Sequence, residues 1–200
     1  HGASGAFKYH ISVADPREGE SMSFVRVTKM DISIELVSLG DADALLEFEL
    51  ANRSWFEQHV LPRDESFYTS QGVRSQISEF LSLHANGEMY PMLIRSNSQE
   101  ICGRVNVHRV EANTYTGELG YRIGQQFTSK GIASQAVGKL VDYLVSEAQL
   151  STLRAIVLCS NEGSQKVLER NGFSKVKGIA NYAKLNGEVR DAIEYELSLP

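Results

Sequence analysis

The residues best suited to chemistry lie where a predicted strand runs into an amphipathic helix, at residues 118–136. This stretch reads Glu-Leu-Gly-Tyr-Arg-Ile-Gly-Gln-Gln-Phe-Thr-Ser-Lys-Gly-Ile-Ala-Ser-Gln-Ala. Gly131 and Ala133 leave the backbone bare at the helix start, where unpaired N–H groups carry the positive end of the helix dipole. The loop can therefore cradle a diphosphate, although small residues at a helix start can also serve packing alone. Its spacing fits neither a Walker loop nor a dinucleotide-binding fingerprint.

A second set of reactive side chains follows the next predicted strand. Asn161 and Ser164 open a short helix that ends before Gly172 and Phe173. The Ser164 hydroxyl can donate a proton to a leaving group, or it can simply satisfy backbone groups at the helix start. Cys159 has no histidine beside it in the sequence, so we interpret it as a small buried side chain and not as a nucleophile.

Composition excludes several classes of function. The 200 residues carry a formal charge of −5; residues 1–100 hold 8 Lys and Arg against 15 Asp and Glu, and residues 101–200 hold 12 against 10. This acidic balance argues against a nucleic-acid binder, which needs a basic stripe. The two cysteines are too few for a disulfide scaffold, and no apolar run is long enough to cross a membrane, so we expect a cytoplasmic protein. The five histidines have no paired ligand spacing, which predicts no metal site.

The elements that must position these residues alternate as in a single α/β domain. We expect residues 1–30 to form an N-terminal arm, with His1–Ala6 as the remnant of a tag, and residues 31–200 to form the domain. The predicted strands are 33–38, 89–95, 100–109, 115–123, 153–159, 173–180 and 189–197, and the predicted helices are 41–52, 67–85, 131–148 and 161–171. Residues 53–65 are predicted to form a polar loop.

Taken in order, these motifs resemble the GNAT N-acetyltransferase superfamily, whose members transfer an acetyl group from acetyl-CoA to an amine. The resemblance rests on the strand 119–123, the loop 128–133, and the motif Asn161-x-x-Ser164 with Leu168, Gly172 and Phe173. Residues 52–53, 62–66, 178–182 and 185–187 make the chain most similar to the ribosomal-protein alanine and serine N-terminal acetyltransferases. The resemblance implies a single-domain, three-layer α/β (α+β) fold, with a twisted mixed sheet that splays between the strands ending near Ile123 and Cys159.

The resemblance also implies where acetyl-CoA binds as the acetyl donor. Its pantetheine arm would pair with the strand backbone at Tyr121, Arg122 and Ile123, and Asn161 and Ser164 would contact the pantetheine and the region of the sulfur. The residues implied around the diphosphate are Thr128, Ser129, Lys130, Gly131, Ile132, Ala133 and Ser134. The family usually has Arg or Gln where this chain has Thr128, so we expect weaker binding at that position.

Three residues are candidates for the proton transfers in a direct attack of a neutral amine on the thioester. A peptide N-terminus has a pKa of about 7.7–8.0, against about 10.4 for lysine, so it needs only modest help from a base. Glu118 and Tyr182 are the candidates for that help, and Ser164 is the candidate donor to the leaving thiolate. Each also has a structural interpretation, as a solvated carboxylate, a packed ring or a helix-start hydroxyl. A glutamate that some relatives carry near residues 181–183 has no counterpart here.

The leading hypothesis is therefore an acetyl-CoA-dependent N-acetyltransferase that modifies a protein N-terminus of the ribosomal-protein type, beginning with Ala or Ser. Asp64 or Glu65 would hold the cationic amine, unless their loop is merely solvated. Alternative acceptors are a polyamine, an amino acid or an amine antibiotic, and a non-catalytic acyl-CoA-binding module is the alternative of another class. We expect no metal, no direct nucleic-acid partner and no membrane partner, and either a monomer or a homodimer.

Overall fold

One mixed sheet of seven strands organises the computed structural model, which describes residues 30–185 and 187–200. The predicted N-terminal arm lies outside the described residues except for Met30. The strands are β1 (Ile32–Leu36), β2 (Tyr90–Ser96), β3 (Ile101–Glu111), β4 (Thr116–Ile123), β5 (Thr152–Leu158), β6 (Ser174–Leu185) and β7 (Glu188–Ser198). Their order in the sheet is β1-β2-β3-β4-β5-β7-β6, and the neighbouring pairs are antiparallel except for β4 and β5.

Helices cover both faces of this sheet. In the described part of the chain the α-helices are α1 (Ala42–Ala51), α2 (Arg53–Glu57), α3 (Ser70–Ala85), α4 (Ile132–Glu147) and α5 (Glu162–Arg170). Ile94 packs in the apolar cluster of α4 and α5, whereas Leu93 packs in the cluster of α1 and α3. Because successive strand residues point to opposite faces, the two clusters lie on opposite sides of the sheet. The predicted three-layer α/β arrangement is confirmed.

The prediction of a polar loop at residues 53–65 is wrong at its start, where the chain forms α2. The side-chain Nδ2 of Asn52 donates a hydrogen bond to the carbonyl oxygen of Phe48 at 2.9 Å, and the N–H of Phe56 then bonds to the oxygen of Asn52 at 2.9 Å. Phe56 is buried, with its ring centroid 5.8 Å from that of Phe48. Packing of this one aromatic side chain therefore supports a helical turn that the polar composition conceals.

The parallel strands β4 and β5 pair at one end only. The paired residues are Thr116 with Thr152, Gly117 with Leu153, and Glu118 with Arg154. Beyond Glu118, β4 continues against β3 and β5 continues against β7, and no strand pairing among the described residues joins β4 to β5. The edge of β4 from Leu119 to Ile123 is thereby left for the backbone of a ligand. The predicted splay is confirmed.

Candidate active site

The strand that borders the splay separates two different environments. Residues that pair between β3 and β4 share a face, and the register pairs Val105 with Tyr121 and Asn106 with Gly120. Val105 and Tyr121 pack in the apolar cluster of α4. Asn106 and Gly120 line a polar pocket on the other face. An acyl group held at this edge would therefore have an apolar layer on one side and a polar pocket on the other.

The loop between β4 and α4 contains two residues in left-handed backbone conformation. Ser129 has a φ of +60° and Gly131 a φ of +71°. The Thr128 hydroxyl donates a hydrogen bond to the carbonyl oxygen of Gln125 at 2.8 Å and closes the turn before them. The N–H of Gln135 bonds to the oxygen of Gly131 at 3.1 Å, so the amides of residues 132–134 precede the helical ladder. Such amides are donors for an anion.

Gly131 is the residue on which the shape of this loop depends. A Cβ atom at this position would meet no heavy atom of the described residues within 4 Å, so the space above its backbone is open among them. The exposed Lys130 places its Nζ atom 5.7 Å from the ring centroid of Phe127, next to the amides. Ser134 accepts a hydrogen bond from the side-chain Nδ2 of Asn171 at 3.2 Å, which ties the start of α4 to the end of α5. The residues predicted to surround the diphosphate thus share one open loop.

Ser164 and Tyr121 place two hydroxyl groups in the interior beside the splay. Ser164 is fully buried and Tyr121 is 4% exposed. Neither hydroxyl has a hydrogen-bond partner within the described residues. Burial raises the pKa of Tyr121, and the nearby hydroxyl of Ser164 opposes this shift only in part. Buried polar groups normally have partners, so this pair fits a polar group of a bound ligand, as the thioester of acetyl-CoA would provide.

Asn161 has a structural task at the start of α5. Its Oδ1 atom accepts a hydrogen bond from the N–H of Ser164 at 3.0 Å, which caps the helix and fixes the position of Ser164. The interpretation of Cys159 as a buried side chain is wrong, because this residue is exposed. β5 ends at Leu158, and Cys159 follows at the surface, where its N–H bonds to the oxygen of Asp191 at 2.9 Å.

A pocket opens on the polar face of β3 and β4. His108 and Gly120 line one end of it, and the other end is formed by Arg63, Arg104 and Arg122. The His108 ring lies against Gly120: its Cε1 atom is 3.4 Å from the place that a Cβ atom would occupy. The three arginines, which we call the arginine end of the pocket, come from two strands and from the chain between α2 and α3.

Glu49, fully buried on α1, holds the arginine end together. Its Oε1 atom is 3.0 Å from Nη1 of Arg104 and 3.6 Å from Nη2 of Arg63, and its Oε2 atom is 3.0 Å from Nη1 of Arg122. Gln76 also accepts a hydrogen bond from Arg104 at 3.0 Å. Burial raises the pKa of Glu49, but the three positive charges outweigh it and lower the pKa to about 2. Burial and the charge of Arg63 lower the pKa of Arg122 to about 10, against the attraction of Glu49.

Glu118, a predicted catalytic residue, is held between two basic side chains. Its Oε1 atom is 3.4 Å from Nε2 of His108, and its Oε2 atom is 2.8 Å from Nη1 of Arg109. Burial raises the pKa of Glu118, but the hydrogen bond to His108 and the charges of His108 and Arg109 hold it below its ordinary value. His108 lines the pocket, whereas Glu118 is not among its lining residues.

Tyr182, the second residue predicted to help the acceptor amine lose its proton, lies on β6. It packs half-buried beside Leu158, at the end of β5. Burial and the negative charge of Glu118 raise the pKa of Tyr182 to about 12. The phenol therefore stays protonated near neutral pH, which suits a hydrogen-bond donor better than a base.

The two carboxylates predicted to hold the acceptor amine have other partners. Asp64 accepts a hydrogen bond from the N–H of Ser66 at 2.9 Å, and Glu65 pairs with Arg53. Both are exposed and neither lines the pocket, which receives the neighbouring Arg63 instead. The prediction of an acidic acceptor site is therefore wrong for this pocket, whose described lining is positively charged.

Sequence reasoning missed the polar residues on the floor of this pocket. They are Arg104, Asn106 and His108, together with the fully buried Glu49 that pairs with Arg104 outside the lining. On β3 they alternate with Val105 and Val107, so a period-two pattern of polar residues between apolar ones was the available signal. For Glu49 the signal was a charge four residues after the buried Leu45, on the inner face of α1.

Among residues 30–185 and 187–200, no group of three or more His, Cys, Asp or Glu side chains could hold a metal ion. No helix in the same part of the chain is long and apolar enough to cross a membrane. The polar groups at the splay are backbone amides, hydroxyls, an imidazole and guanidinium groups.

The sheet opens between two parallel strands, and a loop with backbone amides and a polar pocket lie beside the opening. This is the architecture that the sequence resemblance implied for an acetyltransferase. Residues 32–174 match the family model described as an acetyltransferase (GNAT) domain. The chain therefore belongs to the GNAT acetyltransferase family, and the predicted enzyme class is confirmed.

Relatives along most of the chain carry names of the same kind. The chain is 31% identical over 163 residues to "Probable N-acetyltransferase YjcK" of Bacillus subtilis, covering 80% of this chain and 90% of that protein. It is 27% identical over 178 residues to the [ribosomal protein uS5]-alanine N-acetyltransferase of Escherichia coli, covering 88% of this chain and 92% of that protein. The predicted similarity to ribosomal-protein acetyltransferases is therefore confirmed, at a low sequence identity.

Solved structures share the fold. A ribosomal-protein-S5-alanine acetyltransferase from Vibrio fischeri superposes with a TM-score of 0.80 at 24% identity, over 84% of this chain and 93% of that one. A ribosomal L7/L12 α-N-protein acetyltransferase, RimL, has a TM-score of 0.77 at 21% identity, over 86% of this chain and 96% of that one. The RimL structure is a complex with coenzyme A.

Proposed function

We propose that the protein transfers the acetyl group of acetyl-CoA to the α-amine of a protein N-terminus, of the ribosomal-protein type that begins with Ala or Ser. One observation carries the proposal: the segment 120–122 of β4 both borders the splay and lines the polar pocket. A thioester lying along this edge would reach the pocket in which an acceptor amine can enter. The names of the Escherichia coli and Vibrio fischeri relatives support an N-terminal acceptor.

Acetyl-CoA would lie across the opening between β4 and β5. The backbone of Tyr121, Arg122 and Ile123 would pair with the pantetheine, because no strand among the described residues pairs with this edge of β4 beyond Glu118. The amides of Ser129 to Ser134 would bind the diphosphate, with Thr128 and Lys130 at the side of the loop. Since Oδ1 of Asn161 caps α5, its Nδ2 group is the part that would bind the pantetheine.

The reaction would be a direct displacement. The neutral amine attacks the thioester carbonyl, a C–N bond forms, the C–S bond breaks, and the thiolate of coenzyme A leaves. The amine proton passes to His108, which Glu118 holds through the contact of 3.4 Å. Ser164, with Tyr121 beside it, donates a hydrogen bond to the departing thiolate and keeps its own proton. His108 then releases the proton of the amine to solvent. Tyr182 would contribute a donor at the far wall of the splay.

The charge of the pocket favours this acceptor over a polyamine. Arg63, Arg104 and Arg122 line the pocket and repel a second or third ammonium group. A single α-amine is the easier cation to admit, because its pKa of about 7.7–8.0 leaves part of it neutral at physiological pH.

An acetyl-transfer assay tests the proposal. The acceptors are short peptides that begin with Ala, Ser or Met, with spermidine and an N-terminally blocked peptide containing lysine as comparisons. We expect acetylation of the Ala and Ser peptides, located at the α-amine by mass spectrometry. Turnover of spermidine alone would overturn the proposed acceptor, and binding of coenzyme A without turnover of any amine would favour the non-catalytic binding module.

A further inference from the structure

The arginine end of the pocket gathers three positive charges around one carboxylate. Arg63, Arg104 and Arg122 bring three guanidinium groups together, and all three contact the one carboxylate of Glu49. In the part of the chain that the structure describes, no carboxylate lines the pocket itself. One carboxylate cannot pair closely with three guanidinium groups, and Arg63 is the one that it holds least closely.

Arg63 is the member of this group that is most clearly placed for a ligand. It stands at the longest distance from Glu49, 3.6 Å, and its side chain is only 12% exposed. Its Nε atom is buried and has no hydrogen-bond partner among the described residues. Its guanidinium lies 4.2 Å from the ring centroid of Phe67, which orients it. Burial and the charge of Arg63 lower the pKa of Arg122, as expected where cations are crowded together.

We propose that the arginine end binds a carboxylate carried by the acceptor peptide itself, on the side chain of its second, third or fourth residue. This inference rests on the proposed function, because it names the class of N-terminus that the enzyme selects: an α-amine followed closely by Asp or Glu. A guanidinium group with free donors matches a carboxylate in shape and charge.

The length of the pocket points to a side chain further along a peptide. Arg104 and His108 lie four residues apart on β3, which corresponds to about 13 Å of strand. An amine at the His108 end and a carboxylate at the arginine end must bridge much of this length. An extended peptide advances about 3.3 Å per residue, so its second to fourth side chains can do so, whereas a free α-amino acid holds its two charges too close together.

Three matched peptides test the proposal. They have the sequence Ala-Gly-X-Gly-Tyr-Gly-amide, with Asp, Asn or Arg at X, and free alanine serves as the fourth acceptor. We expect kcat/KM to be about tenfold higher for Asp than for Asn and lowest for Arg, since a charged hydrogen bond is worth at least one factor of ten. Raising the salt concentration should raise KM for the Asp peptide and leave the Asn peptide nearly unaffected.

A pair of variants assigns the preference to the pocket. In Arg63→Gln the ratio of kcat/KM between the Asp and Asn peptides should fall towards one. The control is Arg74→Gln on α3, where Arg74 is half-exposed and lies at the same 3.6 Å from its carboxylate partner, Asp43. This control should keep the ratio of the unmodified protein. Thermal unfolding of both variants checks that they are folded.

The possible outcomes separate the two proposals. Equal acetylation of the Asp and Asn peptides would overturn the carboxylate site while supporting N-terminal acetylation. Acetylation of free alanine with no turnover of any peptide would overturn both the peptide acceptor and the proposed function. An unchanged Asp preference in Arg63→Gln would overturn the assignment to the arginine end.

Discussion

At the scale of single residues, the buried hydroxyl of Ser164 is the group that we propose as the hydrogen-bond donor to the leaving thiolate. Its position follows from the cap that Asn161 places on α5, and its neighbour is the buried hydroxyl of Tyr121. The two hydroxyls have no partners among the described residues, so a ligand can recruit them without breaking an existing hydrogen bond.

Replacing Ser164 with alanine should separate binding from catalysis. We expect kcat of Ser164→Ala to fall by about 10²-fold, because the thiolate loses a donor, while the Kd for coenzyme A stays nearly constant. Ser160→Ala is the control, since Ser160 is exposed in the turn just before Asn161. Steady-state kinetics and calorimetric titration measure the two quantities. An unchanged kcat would remove Ser164 from the mechanism.

The pair formed by His108 and Glu118 is the second feature at this scale. Glu118 is ionised throughout the neutral range, because its pKa is lowered by its contacts with His108 and Arg109 in spite of burial. An ionised carboxylate behind an imidazole orients the ring and stabilises the proton that the ring takes up. In the proposed mechanism Glu118 is thus a positioning residue, and His108 is the group that accepts the proton of the amine.

The variant Glu118→Gln keeps a hydrogen-bond acceptor beside His108 but removes the charge. We expect kcat to fall about tenfold or more, with little change in KM for acetyl-CoA, because the protonated imidazole loses its counter-charge. Glu118→Asp should recover part of the rate, which a purely structural role would not predict. Glu111→Gln, an exposed position on β3, is the control for removing one negative charge. A normal kcat in Glu118→Gln would contradict this assignment.

At the scale of elements, the start of α4 combines a left-handed backbone conformation with open space. Gly131 needs a left-handed φ, and Gly87, after α3, has nearly the same one, +74°. In the described part of the chain, neither position has a heavy atom within 4 Å of a Cβ atom built on it. The two glycines therefore make the same conformational demand, but only Gly131 lies beside the predicted diphosphate.

Exchange of these glycines for alanine should have the same effect on stability and different effects on binding. Each variant is expected to lose about 1 kcal/mol of unfolding free energy, because alanine is strained in the left-handed region. Gly131→Ala should in addition raise the Kd for coenzyme A, while Gly87→Ala should leave it unchanged. Urea unfolding and calorimetric titration compare them. Equal affinities in the two variants would place the diphosphate elsewhere.

Elements with a strong local signal were the ones that the sequence could predict. The buried stripe of α4, with Val137, Leu140 and Leu144, repeats at helical spacing, and the helix lies within one residue of its predicted bounds. The arginine end could not be predicted in this way. Glu49 lies 55 residues from Arg104 and 73 residues from Arg122 in the chain, so only the folded arrangement brings their charges together.

At the scale of the whole molecule, the charge distribution differs from the expectation based on composition. The chain is acidic, with a formal charge of −5, and its first half carries the acidic excess. Yet that half contributes Arg63 to the pocket, while Asp64 and Glu65 remain exposed. Net charge therefore describes the surface of this protein and not its pocket. Glu49 is the carboxylate of the first half that is fully buried with the arginines, and it links α1 to the central strands.

The variant Glu49→Gln should destabilise the whole domain. It leaves three buried guanidinium groups without their carboxylate, which costs about 3–5 kcal/mol of unfolding free energy near neutral pH. Because the pKa of Glu49 falls from 4.5 to about 2 on folding, its stabilising effect is complete above pH 4.5 and is lost as the pH falls towards 2. The difference in unfolding free energy between the variant and the unmodified protein should therefore be smaller at pH 3 than at pH 7.

Glu47→Gln is the control, since Glu47 lies exposed on the same helix. Urea unfolding at pH 7 and at pH 3 gives the free energies of all three proteins. The difference in unfolding free energy between Glu49→Gln and the unmodified protein should depend on pH. If it is the same at pH 7 and pH 3, the charge of Glu49 is not what stabilises the fold.

The bond between α2 and the end of β4 has an optical consequence. Trp55, the single tryptophan of the chain, donates a hydrogen bond from Nε1 to the carbonyl oxygen of Ile123 at 3.3 Å. The indole is thus attached to the last residue of the strand edge along which pantetheine is expected to bind. A ligand that fills the splay should change the polarity around this one fluorophore. Intrinsic emission can then follow the arrival of coenzyme A in real time, with no label attached to either molecule.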